Sequence, residues 1–244
     1  MAWQTPKTNW TAADGVRDSD LNRIEQNILE LYNTESSKAV RTVYVAPSGN
    51  DTTGNGSSSA PFRTINKALS TSPKNLNGKS LTINVAAGTY AENVAAADFF
   101  GGVITLTGAA SAAVNVTGLD IRNCAILVTA LNLIVGSTGI YIGTQGMLYV
   151  ASGTITVNGA AEGVTLRYGA ILEVTTTLTL NNTTSRGLQV QYASTASVAN
   201  FAGTGNSIGV YAYHSTVFIR SYTLTAVSRT INENSAIYTG GAVG

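Results

Sequence analysis

Apolar and polar residues alternate over most of this chain, and from Gly118 onward the alternation repeats. Gly118, Gly139, Gly163, Gly187 and Gly209 each precede a short strand pattern, at separations of 21, 24, 24 and 22 residues, and Arg229 continues the series after 20. The triplets are Leu119-Asp120-Ile121, Ile140-Tyr141-Ile142, Val164-Thr165-Leu166, Leu188-Gln189-Val190 and Val210-Tyr211-Ala212. Their first and third positions are apolar and the middle one polar or aromatic, the period of two expected of a strand with one buried face. A second strand follows in each repeat, as in Met147-Leu148-Tyr149-Val150 and Ile171-Leu172-Glu173-Val174, and several repeats add a third, as in Leu178-Thr179-Leu180. Three short strands per repeat describe one coil of a β-solenoid. A single coil cannot bury its inward face, so coils must stack at about 4.8 Å per rung into parallel ladders. A sandwich would instead show two-residue hairpin turns throughout, and a leucine-rich repeat would show a helical arm.

The N-terminal pattern differs. Leu21, Ile24, Ile28 and Leu31 recur at spacings of 3, 4 and 3 within a helix predicted over about residues 19–35, behind the N-cap candidates Asp18, Ser19 and Asp20. That is a two-heptad coiled-coil seam, too short to hold alone. It either packs on the chain's own body or serves self-association and docking. Trp3 and Trp10, both tryptophans of the chain, lie in a polar stretch with little core and suit a binding anchor. Between the two regions the pattern predicts a strand at residues 42–45, a Gly/Asn/Ser loop at 48–59, a short amphipathic helix at about 61–70 with Phe62, Ile65, Ala68 and Leu69 on one side, and a strand at 81–85.

Charge sharpens this division. Residues 1–42 carry 11 of the 27 Asp, Glu, Lys and Arg, whereas residues 99–244 carry 9, which predicts an attachment segment over 1–41 and a β-helix over 42–244. The chain is 44% apolar and 11% charged with 25 glycines, too apolar for disorder. A formal net charge of +1 without a basic run gives no reason to expect nucleic-acid binding or attraction to an anionic membrane. The N-terminus shows no apolar leader and no stretch reaches a membrane span, so synthesis in the bacterial cytoplasm without a signal peptide, and no membrane insertion, are expected.

Candidate chemistry is sparse. Cys124 and His214 are the single cysteine and histidine, leaving no disulfide framework and no multi-ligand metal site, and no cofactor is expected. From Gly102 onward the carboxylates are Asp120, Glu162, Glu173 and Glu233, at unrelated offsets from the repeat markers, so no two share a column on adjacent rungs as a glycosidase pair requires. Asp120 with Arg122 reads as a surface ion pair, His214 as a turn residue, Asn50-Asp51 as a turn and Cys124 as a buried small residue. No catalytic residue is assigned. The coils do offer outward columns of aromatic and amide side chains: Tyr141, Gln189 and Tyr211 two positions after the marker, Arg167, Gln191 and Tyr213 at four, and Tyr168, Tyr192 and His214 at five. Such columns suit either a glycan platform or a subunit interface.

Two resemblances follow from particular residues. Val43 to Asp51, Pro61-Phe62-Arg63-Thr64-Ile65, and Ile83 to Tyr90 with Glu92-Asn93-Val94 resemble the opening of pectate-lyase-like right-handed parallel β-helices, in which the short helix caps the first coil. That superfamily mixes enzymes with non-catalytic spikes. Residues 2–32, with Trp3, Asn9, Trp10, Asp14 and Asp20 to Glu25, are similar to the N-terminal segment of tail-fibre and baseplate proteins of phages and phage-tail-like bacteriocins. The resemblances imply an all-β virion or particle component, homotrimeric, attached to baseplate or tail proteins through Trp3, Trp10, Leu21, Ile24, Ile28 and Leu31, and contacting a host cell-surface glycan. A polysaccharide depolymerase on the same scaffold is the alternative.

Overall fold

A computed structural model of the protein describes residues 17–36, 41–108 and 113–239, with Thr11 and Gly15 singly; the side chains of residues 30–36 and 224–233 lie outside the description. Trp3 and Trp10 therefore fall outside the described residues, and Leu31 is described in its backbone only. The chain divides into two units, Met1–Arg41 and Thr42–Gly244. In the first, helix α1 spans Asp18–Ser36. Asp20 accepts the backbone N–H of Arg17 at 3.2 Å and pairs with Arg23 at 3.2 Å, placing negative charge at the positive end of the helix. Leu21, Ile24 and Ile28 are 47% to 61% exposed.

The second unit is a right-handed parallel β-helix of about six turns. Each full coil visits three parallel sheets. Sheet A stacks residues 80–85, 103–107, 125–129, 147–150, 171–174, 195–198, 216–219 and 236–239, with Arg41–Val45 beside the first of them. Sheet B stacks 88–90, 113–116, 131–135, 153–157, 177–181, 200–203 and 221–224. Sheet C stacks 93–97, 118–122, 139–143, 162–167, 186–191, 208–213 and 228–233. The register follows the repeat markers: Gly118 pairs with Gly139, Ile140 with Val164, Val164 with Leu188, and Leu188 with Val210.

Period-two alternation turns every second residue inward, and identical positions of successive coils meet in ladders. Ile121, Ile142, Leu166, Val190 and Ala212 form one, Ile126, Leu148, Leu172, Ala196 and Val217 another, and all are at most 1% exposed. Burying each Leu, Ile or Val side chain contributes about 1.5–3 kcal/mol. The marker glycines have a separate cause. A Cβ at Gly163 would lie 2.6 Å from the carbonyl oxygen of Gly187, and one at Gly187 would lie 2.7 Å from that of Gly209. Backbone of the next coil occupies the space, so the repeat is written in glycine by close approach.

At the N-terminal end the expected helix over 61–70 is shorter, α2 over Ile65–Ser70. Residues 61–64 are claimed by sheet pairing instead: Phe62 donates its N–H to Tyr44 O (3.0 Å) and accepts from Ala46 N–H (2.9 Å), covering the edge of Arg41–Val45. Phe62, Ile65, Ala68 and Leu69 are buried as expected. The α2 N-terminus is satisfied by side chains. Thr64 caps it by accepting from Lys67 N–H (3.1 Å), Asp51 accepts from Arg63 N–H, Thr64 N–H and the Thr64 hydroxyl (2.7, 3.1 and 2.8 Å), and Glu92 accepts from Ile65 and Asn66 N–H (2.7 and 2.9 Å). The Asn66 amide then takes the place of a neighbouring strand along the first rung of sheet C, donating to Asn93 O (2.8 Å) and accepting from Ala95 N–H (2.9 Å).

Candidate functional site

The three sheets present chemically different outer faces. Sheet B is lined by a Thr/Asn ladder, in which Thr154 donates to Asn132 (3.1 Å) and Asn181 to Asn158 (3.0 Å). Sheet A is mainly apolar and exposes several large side chains, among them Met147, Ile171, Phe218 and Tyr238. Sheet C and the corner leading from it to sheet A gather the aromatic, amide and charged groups.

On sheet C the expected columns exist. Asp120, Tyr141, Thr165, Gln189 and Tyr211 are successive partners, and Gln191 pairs with Tyr213. They do not form an open surface throughout. Thr165, Gln189 and Gln191 are 4%, 1% and 8% exposed. Glu162 is the hub: it accepts from the Thr165 hydroxyl (3.0 Å), Arg186 Nη1 (3.2 Å) and the Gln189 amide nitrogen (2.9 and 3.1 Å), whose carbonyl faces the Gln191 amide. Arg186 in turn lies over the Tyr211 ring, 4.5 Å from its centroid. Two rungs earlier, Arg122 grips Asp120 with two bonds of 2.8 Å and lies 5.0 Å from the Tyr141 centroid. Tyr141 lies flat across Gly143, where a Cβ would collide with the ring. Gln189 and Gln191, expected as contact residues, are thus interior members of a polar network, and Tyr141 and Tyr211 are partly covered by arginines.

The open aromatic surface is the corner between sheets C and A. Asp98, Asn123, Thr144, Tyr168, Tyr192, His214 and Asn234 occupy the same turn in successive coils, all with positive φ between 42° and 62°. Left-handed backbone suits Asn and Asp but is uncommon for a bulky residue. Tyr168 and Tyr192 nevertheless hold it, stacked with centroids 5.1 Å apart and planes 6° apart, and remain 55% and 42% exposed. Tyr213 meets Tyr192 edge-on at 5.6 Å, and His214 leans on Tyr213 at 4.3 Å. His214 is exposed, with Asn234 Nδ2 at 3.5 Å from its Nε2. Arg167, adjacent to this corner, has its Nε buried without a protein acceptor.

Elsewhere, a shallow groove of about 430 Å³ runs along the outer face of sheet A, lined by Glu173, Ser197, Phe218, Arg220 and Tyr238 among others. Phe218 and Tyr238 stack there at 4.9 Å. Glu173 is the one carboxylate among its described lining residues. Asp120 and Glu162 are both on sheet C but three residues and two rungs apart, and Glu173 is on another sheet; Glu233 lies outside the described side chains. Cys124 is buried and donates to Ala96 O at 3.3 Å, and burial pushes its thiol above the ordinary range. Asn50 forms the expected turn, accepting from Thr52 and Thr53 N–H, whereas Asp51 is a helix-capping residue. Among the described residues no three of His, Cys, Asp and Glu cluster to hold a metal, and no helix is long and apolar enough to cross a membrane.

The pairing of Glu162 with Arg186 and Gln189 and the capping role of Glu92 were not read from the sequence. Glu162 and Arg186 are 24 residues apart, one coil, so opposite charges in register were the available signal.

Comparison with known proteins bears on the fold. Residues 47–104, about a quarter of the chain, match a family described as a protein of unknown function (DUF1565), a family often found in β-helix proteins. The stretch includes α2 with its capping carboxylates and the first rungs of sheets A, B and C. No curated protein and no solved structure matches the chain.

Proposed function

We propose that this protein is a non-catalytic structural and receptor-binding component of a phage tail or phage-tail-like particle, which presents the Tyr168–Tyr192 corner to a host cell-surface glycan. The observation that carries the binding reading is that stack. Two tyrosines hold a strained left-handed conformation while about half exposed to solvent, a cost that a purely structural turn avoids by using Asn, as at Asn123 and Asn234. Ring faces stack on pyranose rings, while the neighbouring Arg167, Tyr213 and His214 supply polar groups for hydroxyls. The tail assignment draws on the similarity of residues 2–32, and the exposed seam of Leu21, Ile24 and Ile28 supports homotrimerisation and docking to baseplate or tail proteins.

The alternative, a polysaccharide depolymerase, has Glu173 in the sheet A groove in its favour. Two carboxyls about 5–9.5 Å apart are needed for glycoside hydrolysis, and the groove's described lining supplies one. Asp120 and Glu162 are held in ion pairs away from it.

The test is retention of the protein on purified cell-wall and capsular polysaccharides, run for the wild type and a Tyr168→Ala/Tyr192→Ala variant, with immunogold labelling of the particle. Retention by the wild type alone, with label at the tail, is expected. Release of new reducing or unsaturated ends that is abolished by Glu173→Gln would overturn the non-catalytic reading.

A further inference from the structure

Three arginines stand on the described rungs of sheet C, Arg122, Arg167 and Arg186, and two of them are paired. Arg122 takes its carboxylate from Asp120, two residues earlier on its own strand, with two bonds of 2.8 Å, and Arg186 takes Glu162, one coil earlier, at 3.2 Å. Arg167 can draw on neither place. Two residues before it stands Thr165, whose hydroxyl already donates to Glu162 (3.0 Å), and one coil earlier, in register, is Gly143, which has no side chain. Arg167 is half-buried, its Nε is enclosed without an acceptor, and among the described residues its guanidinium meets no carboxylate, carbonyl or ring. Arg186 also has an enclosed Nε, but its Nη1 is held by Glu162. The described rungs therefore set three guanidiniums against the two carboxylates of Asp120 and Glu162, and the unmatched charge is that of Arg167.

A second donor lies one rung away. The Tyr141 ring lies across Gly143 with its hydroxyl 2.7 Å from where a Cβ at that position would be, and Gly143 is the in-register neighbour of Arg167. The phenol thus occupies the side-chain position about 4.8 Å from the root of Arg167. Its ring meets Arg122, but among the described residues its hydroxyl has no hydrogen-bond partner. On the other side, the residue after Arg167 is Tyr168, where the open aromatic stack begins. We infer that Arg167, with the Tyr141 hydroxyl, holds an oxyanion: a phosphate or carboxylate group carried by the glycan that stacks on Tyr168 and Tyr192. The inference rests on the receptor-binding reading and gives its ligand a charge. A guanidinium only donates, and its fork matches two oxygens of an anion through parallel N–H···O bonds. The hydroxyls of a neutral sugar would answer its geometry without answering its charge. Enclosure of Nε fixes the fork beforehand, so little freedom is lost when the anion docks.

The test measures retention of the full-length chain on three supports that share one pyranose backbone: phosphocellulose, carboxymethyl-cellulose and unmodified cellulose. Wild type is expected to be held more strongly on a charged support than on cellulose, and the two charged arms decide between phosphate and carboxylate. Arg167→Gln should weaken that retention roughly ten- to a hundredfold, the range of one charge-assisted hydrogen bond, and Arg167→Lys should restore part of it. Tyr141→Phe, which deletes only the hydroxyl, should weaken it less. Arg122→Gln removes the same charge from the same sheet, so it is the control for simple ion exchange and should stay close to wild type. Arg167→Met, which keeps the length of the stem, replaces Arg167→Gln if that variant melts early. Equal losses from Arg167→Gln and Arg122→Gln, or a wild type with no preference for either charged support, overturn the inference. The Tyr168→Ala/Tyr192→Ala variant on unmodified cellulose reads the stacking alone, so failure of the receptor-binding reading appears in that arm and failure of the anion site in the charged ones.

Discussion

Glu92 accepts the backbone N–H of Ile65 at 2.7 Å across 27 residues of sequence, tying the first rung of the solenoid to the helix that covers it. Asp51 holds the same helix terminus from the preceding loop. Burial raises the Glu92 carboxyl above its ordinary value, outweighing the hydrogen bonds from Asn66 and Ile65 and adding to the repulsion from Asp51. Asp51 behaves oppositely: burial would raise it, but the Thr64 hydroxyl and the Thr64 and Arg63 N–H groups bring it below its ordinary value.

A pH dependence with a defined sign follows. The Asp51 contribution is present above its unfolded value of 3.8 and lost as pH falls through its lower folded value. The Glu92 contribution is greatest below 4.5 and lost as pH rises through its raised folded value. Asp51→Asn, which turns charge-assisted hydrogen bonds into neutral ones, is therefore expected to cost about 1 kcal/mol near neutral pH, and the difference from wild type should shrink below pH 3.8. Urea melts at several pH values check this; a difference that grows in acid would contradict it.

The glycine ladder sets a second expectation. Gly187→Ala places a methyl group against the Gly209 carbonyl, and Gly163→Ala does the same one coil earlier. Each is expected to lower stability by about 1–3 kcal/mol through overpacking of the next rung. Thermal melting would show it, and Gly136→Ala, whose Cβ would meet nothing closer than 3.4 Å, is the control for losing a glycine without the collision.

For the tyrosine corner the expected result is a trade. Replacing both Tyr168 and Tyr192 by Asn relieves about 1 kcal/mol of left-handed strain at each and gives up a stack worth about 1 kcal/mol. Stability should hold or rise slightly while polysaccharide retention falls. A large loss of stability would show that the tyrosines are there to hold the coil.

Removing the hub carboxylate is expected to act on the fold. Glu162→Ala leaves Arg186 and the buried Gln189 amide without their acceptor, at a cost of about 2 kcal/mol. Glu162→Gln, which keeps an acceptor, should cost less. Denaturant midpoints of the two variants decide the order.

The solenoid was legible because its coil length is written as spacing. Gly118 to Gly139 is 21 residues in sequence and one rung in space, and the columns read from that spacing are the columns observed. What spacing does not encode is how far a side chain reaches. Gln189 and Gln191 are at positions that period two turns away from the core, yet both are buried, and Glu162 meets the Gln189 amide. Met147 and Ile171 are apolar, yet the pleat turns them outward. Residues 61–64 look helical until Tyr44 and Ala46, some 17 positions earlier, claim the backbone of Phe62. Each of these depends on a neighbour distant in sequence.

The amide of Asn66 has a consequence for growth. By answering Asn93 O and Ala95 N–H with one side chain, it blocks that part of the template on which another strand could register, and Lys74 takes a further carbonyl, that of Ala97, at 2.6 Å. Coils can therefore be duplicated between the glycine markers, lengthening the rod one rung at a time, while its starting end keeps the same plug and refuses annealing to a foreign β edge.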